Sequence, residues 1–257
     1  MPKKPQDSEV ALAAPSIDPA EVEKFSRIAA EWWDPRGKFK PLHEINPLRL
    51  DFIREKTCAA LGRDPSADRP LQGLRALDVG CGGGLIAEPI ARLGARLTAI
   101  DASEANIKTA RVHAGEVGLD IDYRVGSVEA LIAAGEAPYE LVTCLEVVEH
   151  VADPAAFVAA CARLVAPGGL LVLSTINRTP KAFALAIIGA EYVLRLLPVG
   201  THDYSKFLTP AELAEALRDP QIAVDPPVGM VLNPFLWRWS LSSDASVNYL
   251  LTARRAA

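Results

Sequence analysis

Residues 74–93 constrain the fold of this 257-residue chain more than any other stretch. The segment 74–79 is a short apolar run, which is typical of a strand buried on both faces. Four glycines then fall within five positions, and apolar residues return at helical spacing from Ile86. A strand, a glycine turn and a helix in this order form a crevice where backbone can approach a nucleotide-like ligand. The stretch therefore predicts an α/β protein with a Rossmann-like fold.

The residues around this turn indicate which ligand it would bind. A dinucleotide fingerprint needs a glycine five residues after Gly80, and Leu85 stands there instead, which disfavours a nicotinamide oxidoreductase. Asp78 would repel a pyrophosphate, but its charge suits the ammonium and sulfonium groups of S-adenosylmethionine. Asp101 ends the next apolar run, where an acidic side chain can bind both ribose hydroxyls. The predicted ligands of S-adenosylmethionine are Asp78, Gly80, Gly82 and Asp101.

Composition narrows the class of protein further. Half of the residues are apolar and the net charge is −5, which favours a globular protein and argues against a nucleic-acid partner. The four cysteines are scattered without metal-binding spacing, which indicates reduced thiols in a cytoplasmic protein. The sequence shows no secretory signal and no apolar run of about 18 residues, so we expect no membrane span.

The order of apolar runs predicts a single domain over residues 17–257, preceded by a disordered tail at 1–16. Repeated strand–helix units make a mostly parallel sheet, predicted to have seven strands and to end in an antiparallel hairpin. The predicted strands are 74–79, 96–101, 121–125, 139–144 and 169–175, with a hairpin that pairs 228–231 with 247–251. The predicted helices are 84–93, 103–117, 127–134, 154–165 and 210–218.

Residues 18–62 precede the glycine strand and are predicted to form two helices. Asp18 is a good cap for the first, and Asn46-Pro47 is a good start for the second. Both helices must lie outside the core sheet or over its crevice. A cover that closes on the ligand and a purely packing role are both compatible with the pattern.

The segment Val142–His150 follows the fourth predicted strand, whose carboxyl end would face the ligand crevice. Glu146, Glu149 and His150 stand at i, i+3 and i+4, which places them on one face if the segment is helical. Such groups could hold a divalent cation, or His150 could act as a general base. A solvated helix start, with acids placed for the helix dipole, is the structural alternative.

Two single residues are weaker candidates for cofactor ligands. Leu145 lies beside the fourth strand end, where an adenine ring would need an apolar wall. Arg49 could bind the carboxylate of the cofactor, although the pattern alone favours a surface arginine.

Residues 180–197, within a predicted helical insertion at 180–208, are apolar except for a narrow stripe with Lys181 and Arg195. That helix could lie in a membrane interface, line a tunnel for a greasy substrate, or pack in the core.

Several segments resemble the ubiquinone-biosynthesis O-methyltransferase family, and the likeness covers nearly the whole chain from about residue 20. The glycine motif at 77–84 is shared by many methyltransferases, whereas Trp-Trp-Asp at 32–34 and Gly-Thr-His-Asp at 200–203 are far more particular. The other similar segments are 42–49, 146–151, 174–179, 189–192 and 247–249.

The resemblance implies an enzyme that transfers methyl groups from S-adenosylmethionine to catechol hydroxyls of polyprenylated intermediates, in both O-methylation steps of ubiquinone biosynthesis. It suggests that the helix at 180–197 contacts membrane lipid, peripherally on the inner face of the cell membrane, near other quinone-biosynthesis proteins. The alternatives are a methyltransferase for another small molecule and a membrane-attached scaffold with a vestigial fold.

The resemblance also assigns site residues. It implies that the cofactor ligands include Arg49, Gly80, Asp101 and Leu145. It points to a magnesium site at Glu146, Glu149 and His150. His150, with Glu149, is the predicted catalytic group, and the sequence leaves open whether His150 is a base or a metal ligand.

Overall fold

A computed structural model of the chain describes residues 16–185 and 203–257. Residues 1–15 of the predicted tail and residues 186–202 of the predicted apolar insertion lie outside the described residues. Ser16, the last residue of the predicted tail, is buried, and its carbonyl accepts a hydrogen bond from the Ala152 N–H at 3.0 Å.

Five parallel strands form the half of the sheet that carries the glycine turn. They are β1 (Arg75–Val79), β2 (Arg96–Asp101), β3 (Asp122–Val125), β4 (Tyr139–Leu145) and β5 (Val165–Ile176). Their order in the sheet is β3-β2-β1-β4-β5, so the chain changes direction across the sheet between β3 and β4. In such a sheet the ligand crevice lies where the order reverses, beside the carboxyl ends of β1 and β4.

Antiparallel strands complete the sheet: β6 (Ile222–Val224), β7 (Val228–Asn233), β8 (Arg238–Ser242) and β9 (Asn248–Arg255). β9 lies between β5 and β7, and β8 pairs with β7. The predicted pairing of 228–231 with 247–251 is confirmed, but the described residues form nine strands rather than seven. The sequence prediction omits β6 and β8 because β6 has three residues and most side chains of β8 are exposed.

Helices cover both faces of the sheet, which confirms the predicted α/β architecture. They are α1 (Pro19–Ser26), α2 (Lys40–Leu61), α3 (Ala87–Arg92), α4 (Glu104–Glu116), α5 (Val128–Ala133), α6 (Pro154–Arg163), α7 (Pro180–Ala182) and α8 (Pro210–Ala216). Helices α2, α3 and α4 enclose one apolar core, and α5, α6 and α8 enclose the other. Ala76 belongs to the first core and Leu77 to the second, because successive side chains of a strand point to opposite faces.

The second predicted helix begins earlier than the sequence pattern indicates. Helix α2 starts at Lys40 with a proline in its first turn, and Pro47 lies inside it rather than at its start. Proline removes one backbone hydrogen bond there. Burial of Phe52 and Ile53 against the sheet stabilises the continuous helix. It ends at Gly62, whose φ of 64° provides the left-handed cap that glycine adopts readily.

Candidate active site

A cavity of about 780 Å³, including its open mouth, lies at the carboxyl ends of the parallel strands. The sheet edge and its loops contribute Val79, Gly80, Gly82, Ile100, Asp101, Gly126, Ser127, Val128, Glu146, Val147 and His150. The opposite wall comes from α1 and the turn after it, through Asp18, Glu21, Val22, Phe25 and Trp32. The N-terminal helix therefore lies where the cover interpretation requires it.

The glycine turn presents its backbone to the cavity, because its φ angles and the packing of Trp32 leave no room for side chains on the turn. Gly80 and Gly82 have φ angles of 69° and 53°, which favour glycine. A Cβ atom on Gly82 would lie 2.3 Å from Cζ2 of Trp32, and one on Gly83 would lie 2.3 Å from Cβ of Trp32. Trp33 donates its indole N–H to the Gly83 carbonyl at 2.9 Å. The two tryptophans of the Trp-Trp-Asp motif thus pack directly on the turn.

Asp101 organises the turn and also lines the cavity. Its carboxylate accepts hydrogen bonds from the Gly82 N–H at 2.9 Å, the Ser103 N–H at 2.8 Å and the Asn106 side-chain amide at 3.2 Å. Burial raises the pKa of Asp101, and these hydrogen bonds oppose the shift. A carboxylate has about four acceptor positions, so one more donor can be accommodated. A ribose hydroxyl is a suitable donor.

Asp78 is buried one residue before the cavity-lining Val79 and does not itself line the cavity. Its Oδ1 accepts a hydrogen bond from the Thr143 hydroxyl at 2.7 Å, and its Oδ2 has no partner among the described residues. Burial raises the pKa of Asp78 to about 7, and the charge of Asp101 adds to the shift. A cationic ligand next to this wall would stabilise the ionised carboxylate, so the arrangement fits the charge of S-adenosylmethionine.

Arg49 is buried on α2 rather than exposed on the surface. It forms an ion pair with Glu146, with an Nη2–Oε1 distance of 2.5 Å, and the Ser174 hydroxyl donates to the same oxygen at 2.8 Å. Glu146 has a φ of 55°, which non-glycine residues rarely adopt. The Nε of Arg49 has no hydrogen-bond partner among the described residues. The pattern-based interpretation of a surface arginine is therefore wrong.

The predicted helical face through Glu146, Glu149 and His150 is also wrong. Glu146 is left-handed, and Val148–His150 forms a single 3₁₀ turn, so the three side chains take different partners. Glu149 is buried and accepts a hydrogen bond from the Thr175 hydroxyl at 2.8 Å. Burial raises the pKa of Glu149 to about 7, and the charge of Glu146 adds to the shift. Over residues 16–185 and 203–257, no group of three or more such side chains is placed to hold a metal ion. As arranged, these residues do not fit the predicted magnesium site.

His150 lines the cavity and is held by residues that the sequence analysis missed. Its Nδ1 lies 3.1 Å from Oε2 of Glu21 on α1, and its ring packs edge-on against Phe25 at 5.0 Å between centroids. Lys206 donates to the other oxygen of Glu21 at 2.9 Å. The hydrogen bond to His150 is the largest cause that lowers the pKa of Glu21 to about 2. No sequence signal connects Glu21, His150 and Lys206, because they are far apart in the chain.

Two further positions differ from the sequence predictions. Leu145 is half-buried against the core under α2, α3 and α4, and it does not line the cavity. Ser127, at the end of β3, does line it. The sequence signal for Ser127 was its place after the third parallel strand, because the carboxyl ends of parallel strands meet at the same edge.

Comparisons with known proteins agree with this geometry. The "Methyltransferase domain" family matches residues 77–173. The magnesium protoporphyrin IX methyltransferase of Synechocystis PCC 6803, solved with bound SAH, has a TM-score of 0.61 at 22% identity, covering 93% of this chain and 95% of that one. The plantazolicin methyltransferase BpumL, also solved with SAH, has a TM-score of 0.57 at 15% identity, covering 93% and 98%. These similarities show the fold.

The matching family model assigns residues 77–173 to a methyltransferase domain, and the fold agrees with it. Relatives named "Ubiquinone biosynthesis O-methyltransferase" are 57% identical: one from Maricaulis maris (strain MCS10) over 96% of both chains, and one from Caulobacter sp. (strain K31) over 93% of this chain and 95% of its own. The chain belongs to the ubiquinone biosynthesis O-methyltransferase family. Its activity is S-adenosylmethionine-dependent O-methylation in that biosynthesis. Among the described residues, no helix is long and apolar enough to cross a membrane.

Proposed function

We propose that this chain methylates catechol hydroxyls of polyprenylated intermediates in both O-methylation steps of ubiquinone biosynthesis, with His150 as the general base. The observation that carries the proposal is the shared cavity: His150 lines the same space as Gly80, Gly82 and Asp101. An acceptor hydroxyl and the cofactor can therefore meet at one sheet edge. Family membership supports the pathway, and the apolar wall residues Val22 and Phe25 suit an aromatic acceptor.

The cofactor-binding residues act from two sides of the glycine turn. S-adenosylmethionine, when bound, supplies an electrophilic methyl group. Asp101 would accept a hydrogen bond from a ribose hydroxyl, while Gly80 and Gly82 leave room for close approach. Asp78, which is buried next to the cavity wall at Val79, would attract the positively charged groups of the cofactor. Arg49, like Asp78, does not line the cavity, and it would act on the cofactor carboxylate through its positive charge.

The acceptor must lose a proton, because a catechol hydroxyl has a pKa of about 10 and is mostly neutral at pH 7. Glu21 is ionised at that pH, so its carboxylate can only accept a hydrogen bond from His150. His150 would therefore donate from Nδ1, and in its neutral form Nε2 would offer a lone pair to the catechol hydroxyl. We assign Glu149 a positioning role, because it is buried and does not line the cavity. No step is assigned to magnesium, because the described residues place no group of three such side chains to hold a metal ion.

Replacement of the base tests this assignment. His150→Ala should lower kcat by about 100- to 10,000-fold on a short-chain, water-soluble catechol, which is the usual contribution of general-base catalysis. Glu21→Gln should have a smaller effect in the same direction, whereas Glu23→Gln on the same helix should have none, since Glu23 pairs with Arg27 on the surface. Calorimetry with S-adenosylhomocysteine should show retained binding in each variant. Full activity of a folded His150→Ala protein would exclude His150 as the base.

The acceptor class also implies contact with lipid, because a polyprenylated catechol has a negligible free concentration in water. We propose that the segment 180–197 attaches the enzyme to the inner face of the cell membrane, where it can work beside other quinone-biosynthesis proteins. Residues 186–197 lie outside the described part of the chain. The support is their apolar sequence and the exposure of Phe183 and Leu185. In a liposome flotation assay, Ile188→Glu/Leu194→Glu should release the protein, and unchanged flotation would reject this segment.

A further inference from the structure

The turn between β7 and β8, here called the hairpin tip (residues 233–238), exposes three large apolar side chains. Phe235 is 95% exposed and Leu236 is 73% exposed, more than any other large apolar residue that the structure describes. Trp237 is 45% exposed. None of them contributes to the cavity described above. A contiguous exposed apolar patch of this kind marks an interaction surface.

The hairpin tip is held in its outward position by specific contacts. The Asn233 side-chain oxygen accepts hydrogen bonds from the Phe235 N–H at 3.0 Å and the Leu236 N–H at 3.1 Å. Trp237 donates its indole N–H to Glu44 on α2 at 3.1 Å. Trp237 also has a φ of 48°, a conformation that disfavours a bulky side chain. Glycine or asparagine would suit this backbone conformation better, so the tryptophan carries a conformational cost.

Strand register places the hairpin tip at the same edge as the cavity. Asn248 of β9 is paired with Ile176 at the carboxyl end of β5 and with Met230 of β7. Strand β7 continues past this level in the same direction as β5. The tip begins at Asn233, three residues beyond Met230, and so projects about 10 Å past the end of β5 at ~3.3 Å per residue.

A second pair of exposed apolar side chains lies at this edge. Phe183 is 40% exposed and Leu185 is 54% exposed, and both follow β5. Lys181, beside them, forms an ion pair with Asp244 in the loop after β8, at 2.6 Å. The start of the proposed lipid-contacting segment is therefore tied to the strand pair that carries the hairpin tip.

We infer that the hairpin tip is a second membrane contact, which inserts Phe235, Leu236 and Trp237 into the interface of a lipid bilayer. A stable protein–protein interface needs roughly 800 Å² and about 20–30 residues on each side, far more than a projecting turn offers. A lipid interface needs no complementary groove, and tryptophan and arginine are favoured there. Arg238 is exposed, so its guanidinium can contact lipid phosphate. Membrane contact by the hairpin tip does not depend on the proposed function. Only its purpose does, which is to bring the cavity to a polyprenylated substrate in the bilayer.

Vesicle binding of the full chain tests the inference directly. With vesicles of equal parts phosphatidylcholine and phosphatidylglycerol, Phe235→Ser/Leu236→Ser should weaken partitioning at least tenfold. The matched control is Val112→Ser/Val117→Ser, which changes two exposed apolar residues on and just after α4 and should leave partitioning unchanged. Activity on a short-chain, soluble catechol should persist in both variants, which separates this test from that of His150.

Tryptophan fluorescence measures lipid contact by the hairpin tip without replacing Phe235 or Leu236. Brominated lipids should quench part of the tryptophan emission of the unmodified chain, and Trp237→Phe should abolish that quenching. Unchanged partitioning of the double variant, or no quenching in bound protein, would overturn the inference. A chain that is dimeric in solution and becomes monomeric in Phe235→Ser/Leu236→Ser would also overturn it, because the tip would then bind a second copy.

Discussion

Replacing Asp78 by asparagine should make the free protein more stable at alkaline pH while weakening cofactor binding. Asp78 is fully buried, its Oδ2 has no hydrogen-bond partner in the described chain, and its pKa is raised from 3.8 to about 7 by burial. The folded state therefore holds this proton more tightly than the unfolded state. Stability must fall as pH rises from about 4 to about 7, because the unfolded chain releases the proton first.

The magnitude follows from the pKa difference. A shift of about 3 units at 1.36 kcal/mol per unit corresponds to roughly 4 kcal/mol lost between these pH limits. Asparagine carries no charge and keeps the hydrogen bond from Thr143, but its buried N–H₂ group would lack acceptors, at a cost of about 1–3 kcal/mol. Asp78→Asn should therefore gain about 1–3 kcal/mol at pH 8, and should lose that advantage near pH 4.

Urea unfolding of both proteins at several pH values, at constant ionic strength, measures this difference. The exposed Asp120→Asn serves as the control and should follow the parent at every pH. Calorimetry with S-adenosylhomocysteine should show weaker binding to Asp78→Asn, because the negative charge behind the cavity wall is lost. Glu149, whose pKa is also raised to about 7, should keep part of the pH dependence in the variant. Equal pH slopes for parent and Asp78→Asn would refute the reasoning.

Two other substitutions test contacts around the cavity. Gly83→Ala should destabilise the fold by about 1–3 kcal/mol in urea unfolding, because its Cβ would overlap Trp32. The control is Gly115→Ala on α4, whose Cβ would meet nothing within 4 Å and should cause no such loss. Equal stability of the two variants would contradict the overlap. Arg49→Ala should lower the free energy of unfolding by about 3–5 kcal/mol, since it leaves the Glu146 carboxylate without its cation. The control is Arg54→Ala, which removes a more exposed ion pair with Asp51. An equally small loss of stability in both variants would show the Arg49–Glu146 pair to be unimportant.

The repeating half of the sheet could be predicted from the sequence because its signals are local. β1, β2, β4 and β5 are largely apolar runs, helical patterns separate all five parallel strands, and β2 was predicted at its observed bounds, 96–101. The glycine spacing and Asp101 also predict the edge where the cavity lies, because strand ends in a parallel sheet share one side. The start of α2 could not be predicted, since Pro47 ordinarily marks a helix start and only tertiary burial keeps it inside the helix.

The side-chain contacts across the site could not be predicted from the sequence. Glu21 and His150 are 129 residues apart, and Glu21 and Lys206 are 185 apart, so nothing local connects them. The i, i+4 argument for Glu146 and His150 assumed a helix, and the left-handed backbone at Glu146 removes that premise. Periodicity alone cannot show such a single-residue conformation.

The position of β9 between β5 and β7 has a consequence for folding during synthesis. The parallel strands β1 to β5 occupy a continuous stretch of chain, whereas β9 is the last strand described. Until Asn248–Arg255 has been made, the outer edge of β5 has no neighbour, and β7 with β8 has nothing to attach to. The emerging chain would present an uncovered apolar strand, which invites pairing between nascent chains. Productive folding of this sheet therefore depends on keeping β5 apart from other chains until its final neighbour arrives.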